Sequence, residues 1–213
     1  MNRRSESERS GKSLRDRFQE STNEAILLAA EEVFADAGLH AARMEDIASR
    51  AGVSVGTLYN HFADREALVR GLMLARRASL LAALDAAVAG APDASFRGRL
   101  RGTLVAFLDH CERHHKFLRI VLQQEVHGTV GKGSGDKTDA MRELDARLER
   151  LMKQGLREKV LRPETADLAA TLLLGMMRGL VIRSVVLGKA PALVAEADRL
   201  LAAFLGGLGG GGA

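Results

Sequence analysis

One cysteine, one tyrosine, three prolines and no tryptophan are spread over 213 residues. The lone Cys111 excludes an intramolecular disulfide framework and suits a reducing compartment. Scarce proline beside abundant alanine and leucine suits an all-helical protein. The most apolar stretch, Leu168 to Met177, is interrupted by Arg178. It falls short of the ~18 residues that a membrane span needs. The opening Met1-Asn2-Arg3-Arg4-Ser5-Glu6 is polar, so no signal peptide is expected. These absences predict a soluble, cytoplasmic protein with no membrane partner. Strong charge of one sign is missing too. The net charge of +4 gives little support for nucleic-acid binding, and residues 18–70 carry four arginines against nine carboxylates.

Any nucleic-acid reading must therefore come from a motif, and residues 44–62 supply one. Ile47, Ala48 and Ala51 share one face of a short helix. Gly52 stands where that helix must stop, because glycine adopts the left-handed conformation at little cost. Ser54 is a good N-cap for a second helix, on which Leu58 and Phe62 face inward. Val55, Gly56, Thr57, Tyr59, Asn60 and His61 are left facing outward. Two short helices joined by a tight turn make a helix-turn-helix, whose usual work is to lay the second helix in the DNA major groove. Gly56 costs roughly 1 kcal/mol of helix stability relative to alanine. That cost makes sense if a phosphate backbone must come very close. The alternative is an ordinary helical hairpin.

Residues 21–80 resemble the DNA-binding domain of the TetR-type bacterial transcriptional regulators. The resemblance rests on Ile26, Ala29, Ala30, Phe34, Gly38, Ile47, Ala48, Ala51-Gly52-Val53-Ser54, Gly56-Thr57-Leu58-Tyr59, His61-Phe62 and Leu68. It implies that Val55 and Thr57 approach base edges, that Tyr59 and His61 bind phosphates, and that Arg65 replaces a phosphate-binding lysine. Arg43 stands where the family often has Thr or Ser; it is a poor N-cap but can reach a phosphate or a guanine edge. With Ser54, Gly56 and Asn60 these residues form the expected DNA-binding set. The resemblance further implies an effector pocket in a C-terminal helical domain and a four-helix bundle made with a second copy. A homodimer would read a pseudo-palindromic operator in double-stranded DNA, with half-sites about 34–36 Å apart or a multiple of it.

The chain divides accordingly. Residues 1–20 read as a flexible basic arm, and Ser21-Thr22-Asn23-Glu24 as a capping box that opens the first helix. The DNA-binding domain occupies residues 21–80 and a helical regulatory and dimerisation domain residues 81–205; residues 206–213 form a Gly-rich tail. Leu172, Gly175, Met176, Gly179 and Arg183 recur at helical spacing and, with Leu200 and Phe204, are expected at the dimer interface. Phe107, Cys111, Phe117, Met176 and Met177 are the pocket candidates, because methionine adapts to varied apolar ligands; their alternative is plain core. The Gly-rich segment 128–135 lacks the Gly-Lys-Ser/Thr ending of a phosphate loop.

Two function classes result. The first is a homodimeric repressor released from its operator by a small molecule, with an activator as the variant reading. The second is a helical metal-binding protein or enzyme using His110 and His114, whose spacing can put two imidazoles on one metal. A polar helix end is the alternative for that pair. No set of nucleophile, base and orienter is legible, so no catalysis and no cofactor are expected.

Overall fold

The computed structural model describes residues 13–91, 93, 95–126, 134–187 and 192–208. Among them the chain forms nine α-helices in an all-α fold, divided into two compact units, Met1–Leu74 and Ala75–Ala213. The division falls inside a continuous helix rather than at residue 80.

The N-terminal unit holds α1 (Leu14–Ala37), α2 (Met44–Ala51), α3 (Val55–His61) and the first turns of α4 (Arg65–Ala89). Helix α1 starts seven residues before the expected cap at Ser21. Ser13 forms the capping box instead: its Oγ accepts from the Asp16 N–H at 3.1 Å, and Asp16 Oδ2 accepts from the Ser13 N–H at 3.2 Å. Ser21, Thr22 and Asn23 contain no breaker, so the helix runs through them. Arg15 and Arg17 thus lie on a helix and not in a flexible arm, while Arg3, Arg4, Arg9 and Lys12 lie outside the described residues. Ile26, Phe34, Ile47, Leu58, Leu68 and Leu72 are fully buried and bring all four helices to one core. Each such side chain contributes about 1.5–3 kcal/mol by leaving water.

The second unit takes the rest of α4, then α5 (Phe96–Arg113), α6 (His115–Val126), α7 (Ser134–Arg157), α8 (Ala166–Val186) and α9 (Ala197–Leu208). A break at His114 separates α5 from α6. Short 3-10 turns at Pro163–Thr165 and Val194–Glu196 lead into α8 and α9. Gly206 and Gly207 continue α9 and are not a tail; residues 209–213 and most of the Gly-rich segment, residues 128–133, lie outside the described residues.

This core corrects two expectations. Leu200 and Phe204 are buried within the unit itself, and so are not on a free interface. Phe107, Cys111 and Met177 are buried core as well. Burial pushes the Cys111 thiol up to about 12, so it stays protonated and inert. The third correction concerns α8. Pro163–Val186 is long and apolar enough to cross a membrane by length and composition alone, even though Arg178 and Arg183 interrupt it. Only its inner face, with Ala169, Leu173, Met177 and Val181, is buried. Its other face exposes Leu168 (53%), Leu172, Ile182 and Val186 (75%). Gly175, Gly179 and Arg183 are also exposed, and Met176 is half-buried. A Cβ on either glycine would meet nothing within 4 Å.

Candidate DNA-binding site

Local rules build the helix-turn-helix. Gly52 closes α2 in the left-handed region at φ 69°, ψ 28°, and the Val53 N–H donates to the Ala48 carbonyl at 3.0 Å. Ser54 caps α3 by accepting from the Thr57 N–H at 3.0 Å. Its Oγ also shares a 2.8 Å hydrogen bond with Thr57 Oγ1. The Thr57 hydroxyl is therefore engaged in the cap, and Thr57 is half-buried. Leu58 anchors α3 to the core at 0% exposure.

With Leu58 inward, the opposite face of α3 is open. Val55, Gly56, Tyr59 (46%) and Asn60 are exposed, flanked by half-buried Thr57 and His61. No carboxylate lies on α3, and three acids of this unit are engaged away from its open face. Glu31 is buried on α1, and Glu32 pairs with Arg50 at 2.9 Å. Asp64 caps α4 by accepting from the Ala67 N–H at 2.6 Å. A face without negative charge can approach a polyanion without like-charge repulsion.

Gly56 lacks an internal reason to be glycine. A Cβ there would meet only Ser54 Oγ, at 3.8 Å, and its φ lies outside the left-handed region. Gly71 on α4 is the opposite case, and sequence reasoning passed it over. A Cβ there would fall 2.5 Å from Cε1 of Phe62, the residue that ends α3. The missing side chain lets the Phe62 ring sit against α4, which sets how α3 is held. A glycine inside a helix nine residues after a phenylalanine carries no sequence signal for that contact.

The two expected basic contacts are partly committed. Arg65 Nη1 donates to the His40 carbonyl at 2.7 Å, tying the start of α4 to the loop after α1. Arg43 is exposed beside Glu45, 3.5 Å away, and makes no side-chain cap to α2.

The remaining expected sites are in the second unit. His110 and His114 have ring centroids 4.6 Å apart, and no group of three or more metal-ligating side chains occurs among the described residues. The five pocket candidates do not line the cleft of about 380 Å³ that opens between α4, α5 and α7. That cleft is walled instead by leucines and arginines, and its edge carries Asp85, whose carboxyl is held below its ordinary value by hydrogen bonds from Arg147.

Residues 26–72 match the family model described as bacterial regulatory proteins, tetR family. Over 100 residues the chain is 36% identical to the HTH-type transcriptional activator FasR of Mycolicibacterium smegmatis, covering 47% of this chain and 45% of that one. It is 34% identical over 100 residues to the HTH-type transcriptional repressor KstR2 of Mycobacterium tuberculosis, covering 47% and 48%. The chain thus spans about half the length of these relatives. The solved structure of the ketosteroid transcriptional regulator KstR2 of Mycobacterium tuberculosis is similar over 89% of this chain and 95% of that chain, with a TM-score of 0.68 and 27% identity.

Proposed function

Starting from an N-terminal reading head that belongs to the TetR family of bacterial regulatory proteins, we propose that this chain is a homodimeric, DNA-binding transcriptional regulator. It works in the cytoplasm as a repressor and leaves its operator when a small molecule fills the second unit. The observation that carries the reading is the acid-free, solvent-facing surface of α3, with Gly56 at its start.

In this reading Val55 and Thr57 meet base edges, Thr57 through its methyl because its hydroxyl is engaged by Ser54. Tyr59, Asn60 and His61 reach base edges or phosphates, and Gly56 lets the phosphate backbone come close. Ser54 contributes at the helix N-terminus, where backbone N–H groups suit a phosphate. Arg43 and the remaining donors of Arg65 bind the flanking backbone. The exposed stripe Leu168, Leu172, Gly175, Gly179, Ile182 and Val186 on α8 is covered by the same stripe of a second copy. Its glycines allow close helix approach, and a two-fold pair matches a pseudo-palindromic site.

An activator is the second reading, since one relative above is named an activator and another a repressor. The test is to incubate the purified chain with sheared genomic DNA and competitor at physiological salt and to sequence what is retained. A pseudo-palindrome with half-sites about one turn apart, or a multiple of it, supports the regulator. No enrichment over bulk DNA with a folded dimer counts against it. The position of the site relative to the promoter, read with a reporter, separates repressor from activator.

A further inference from the structure

The open face of α3 offers a short list of chemical groups. Its seven residues include neither lysine nor arginine. Those two side chains make the commonest specific contact in the major groove, the paired hydrogen bonds to guanine O6 and N7. The first turn offers methyl groups instead. Val55 is exposed (38%), an apolar side chain on an otherwise polar face, and Gly56 adds nothing beyond its backbone.

Thr57 carries a hydroxyl, but the fold has already placed it. Ser54 Oγ accepts from the Thr57 N–H at 3.0 Å and shares a 2.8 Å hydrogen bond with Thr57 Oγ1. Threonine is stiff about χ1, so the position of Oγ1 fixes that of the γ-methyl. With the oxygen turned to Ser54, the methyl is turned away from it. A base that took either hydroxyl would compete with the cap of α3. Methyl groups also discriminate in the major groove. Of the four bases only thymine shows one there, at C5. Uracil has the same pairing edge without it.

We propose that α3 selects thymine in each half-site by its C5-methyl group, which packs against the methyls of Val55 and Thr57. Ser54 is a positioning residue: it turns the Thr57 methyl toward the groove and makes an apolar reader of a polar side chain. The inference rests on the regulator reading and gives it a base preference. The pairs under the first turn of α3 are A·T, and guanine is not read there. Asn60, exposed on the same helix, supplies the amide that suits the adenine N6 and N7 edge.

The test rebuilds the site retained from genomic DNA as synthetic duplexes. Each thymine is replaced in turn by deoxyuridine, symmetrically in both half-sites, which removes one methyl and leaves the pairing intact. Where α3 meets that methyl, the full chain should bind about fourfold more weakly per methyl lost. Thr57→Ser keeps the hydroxyl without the methyl and should bind the thymine and uracil duplexes alike at its position. Thr57→Val keeps the branched shape without the hydroxyl and should still prefer thymine. Val55→Ala should lose the preference at a neighbouring position. Ser54→Ala frees Thr57 to rotate and should narrow the preference, and Thr57→Val in that background should restore it. A variant that merely loses helix stability weakens both duplexes equally and leaves their ratio unchanged. A retained half-site without thymine, or a thymine preference that survives both Thr57→Ser and Val55→Ala, would overturn the proposal. An unchanged preference in Ser54→Ala would overturn the positioning role. Retained DNA that tolerates uracil at every thymine counts against the methyl reading alone. No retained DNA counts against the regulator reading and takes the methyl reading with it.

Discussion

Phe62 rests on the bare face of Gly71, where an added Cβ would fall 2.5 Å from the ring carbon Cε1. One residue ends the proposed recognition helix and the other lies on the helix that follows, so this contact holds the aim of α3.

The replacement Gly71→Ala should push the ring off α4. Overpacking of this kind costs about 1–3 kcal/mol. DNA affinity should fall further than that loss explains, because the folded fraction still misplaces α3. Urea unfolding and binding to the retained DNA, measured on one preparation, separate the two effects. Wild-type affinity in a variant that has lost stability would show that the contact does not aim the helix.

At Gly56 the two effects should have opposite signs. Alanine meets only Ser54 Oγ at 3.8 Å, so Gly56→Ala should stabilise the fold by up to about 1 kcal/mol. The same methyl should weaken DNA binding at least tenfold by holding the phosphate backbone off. A stabilised variant with unchanged affinity would remove Gly56 from the interface.

Ser54 separates capping from charge. Ser54→Ala loses the bond from the Thr57 N–H and should cost about 1 kcal/mol. Ser54→Asp keeps a cap and should keep most of the stability, yet it puts a negative charge beside the proposed phosphate track. It should bind DNA more weakly than Ser54→Ala, and the difference should shrink at high salt.

Leu172→Arg tests the α8 face. The side chain is exposed in the single chain, so the fold should hold, but a dimer would have to bury the new charge. Light scattering should read a mass near 22.9 kDa, that of one chain. DNA affinity should drop with it, since one reading head covers half a site. A dimer of undiminished stability would move the interface elsewhere.

Acid should weaken the second unit. Glu158 is held below its ordinary value first by Gln154 and then by the Phe96 N–H, and Asp198 by Arg101. A carboxyl depressed in the folded state stabilises fully above its unfolded pKa. That contribution is lost as pH falls through the folded value. Thermal stability should therefore change little from neutral pH to about 5 and drop below it. Glu158→Gln should be less stable at pH 7 and lose less between pH 5 and 3. A loss equal to that of wild type would remove Glu158 from the acid response.

The helix-turn-helix was legible because its rules act over four or five residues. Gly52 needs only its own φ, and Ser54 needs only the N–H three residues on. Capping was legible as chemistry but not as choice: Ser13 and Ser21 both open a capping-box pattern, and nothing local says that the helix starts at the first. The second unit was harder. Phe107, Cys111 and Met177 were chosen by residue type, yet whether such a side chain faces a cavity or a core depends on neighbours far along the chain. The cleft itself joins Asp85 to Arg147 and Arg99 to Gln154, pairs separated by 62 and 55 positions. In the sequence those arginines look like the solvated faces of amphipathic helices.

The sealed environment of Cys111 has a practical consequence. Its thiol is buried and stays protonated at neutral pH, so it will not compete for a thiol-directed dye or spin label. The chain also has no tryptophan of its own. A single cysteine or tryptophan placed on α3 or α8 would therefore report alone, against an empty background and without the removal of any native residue.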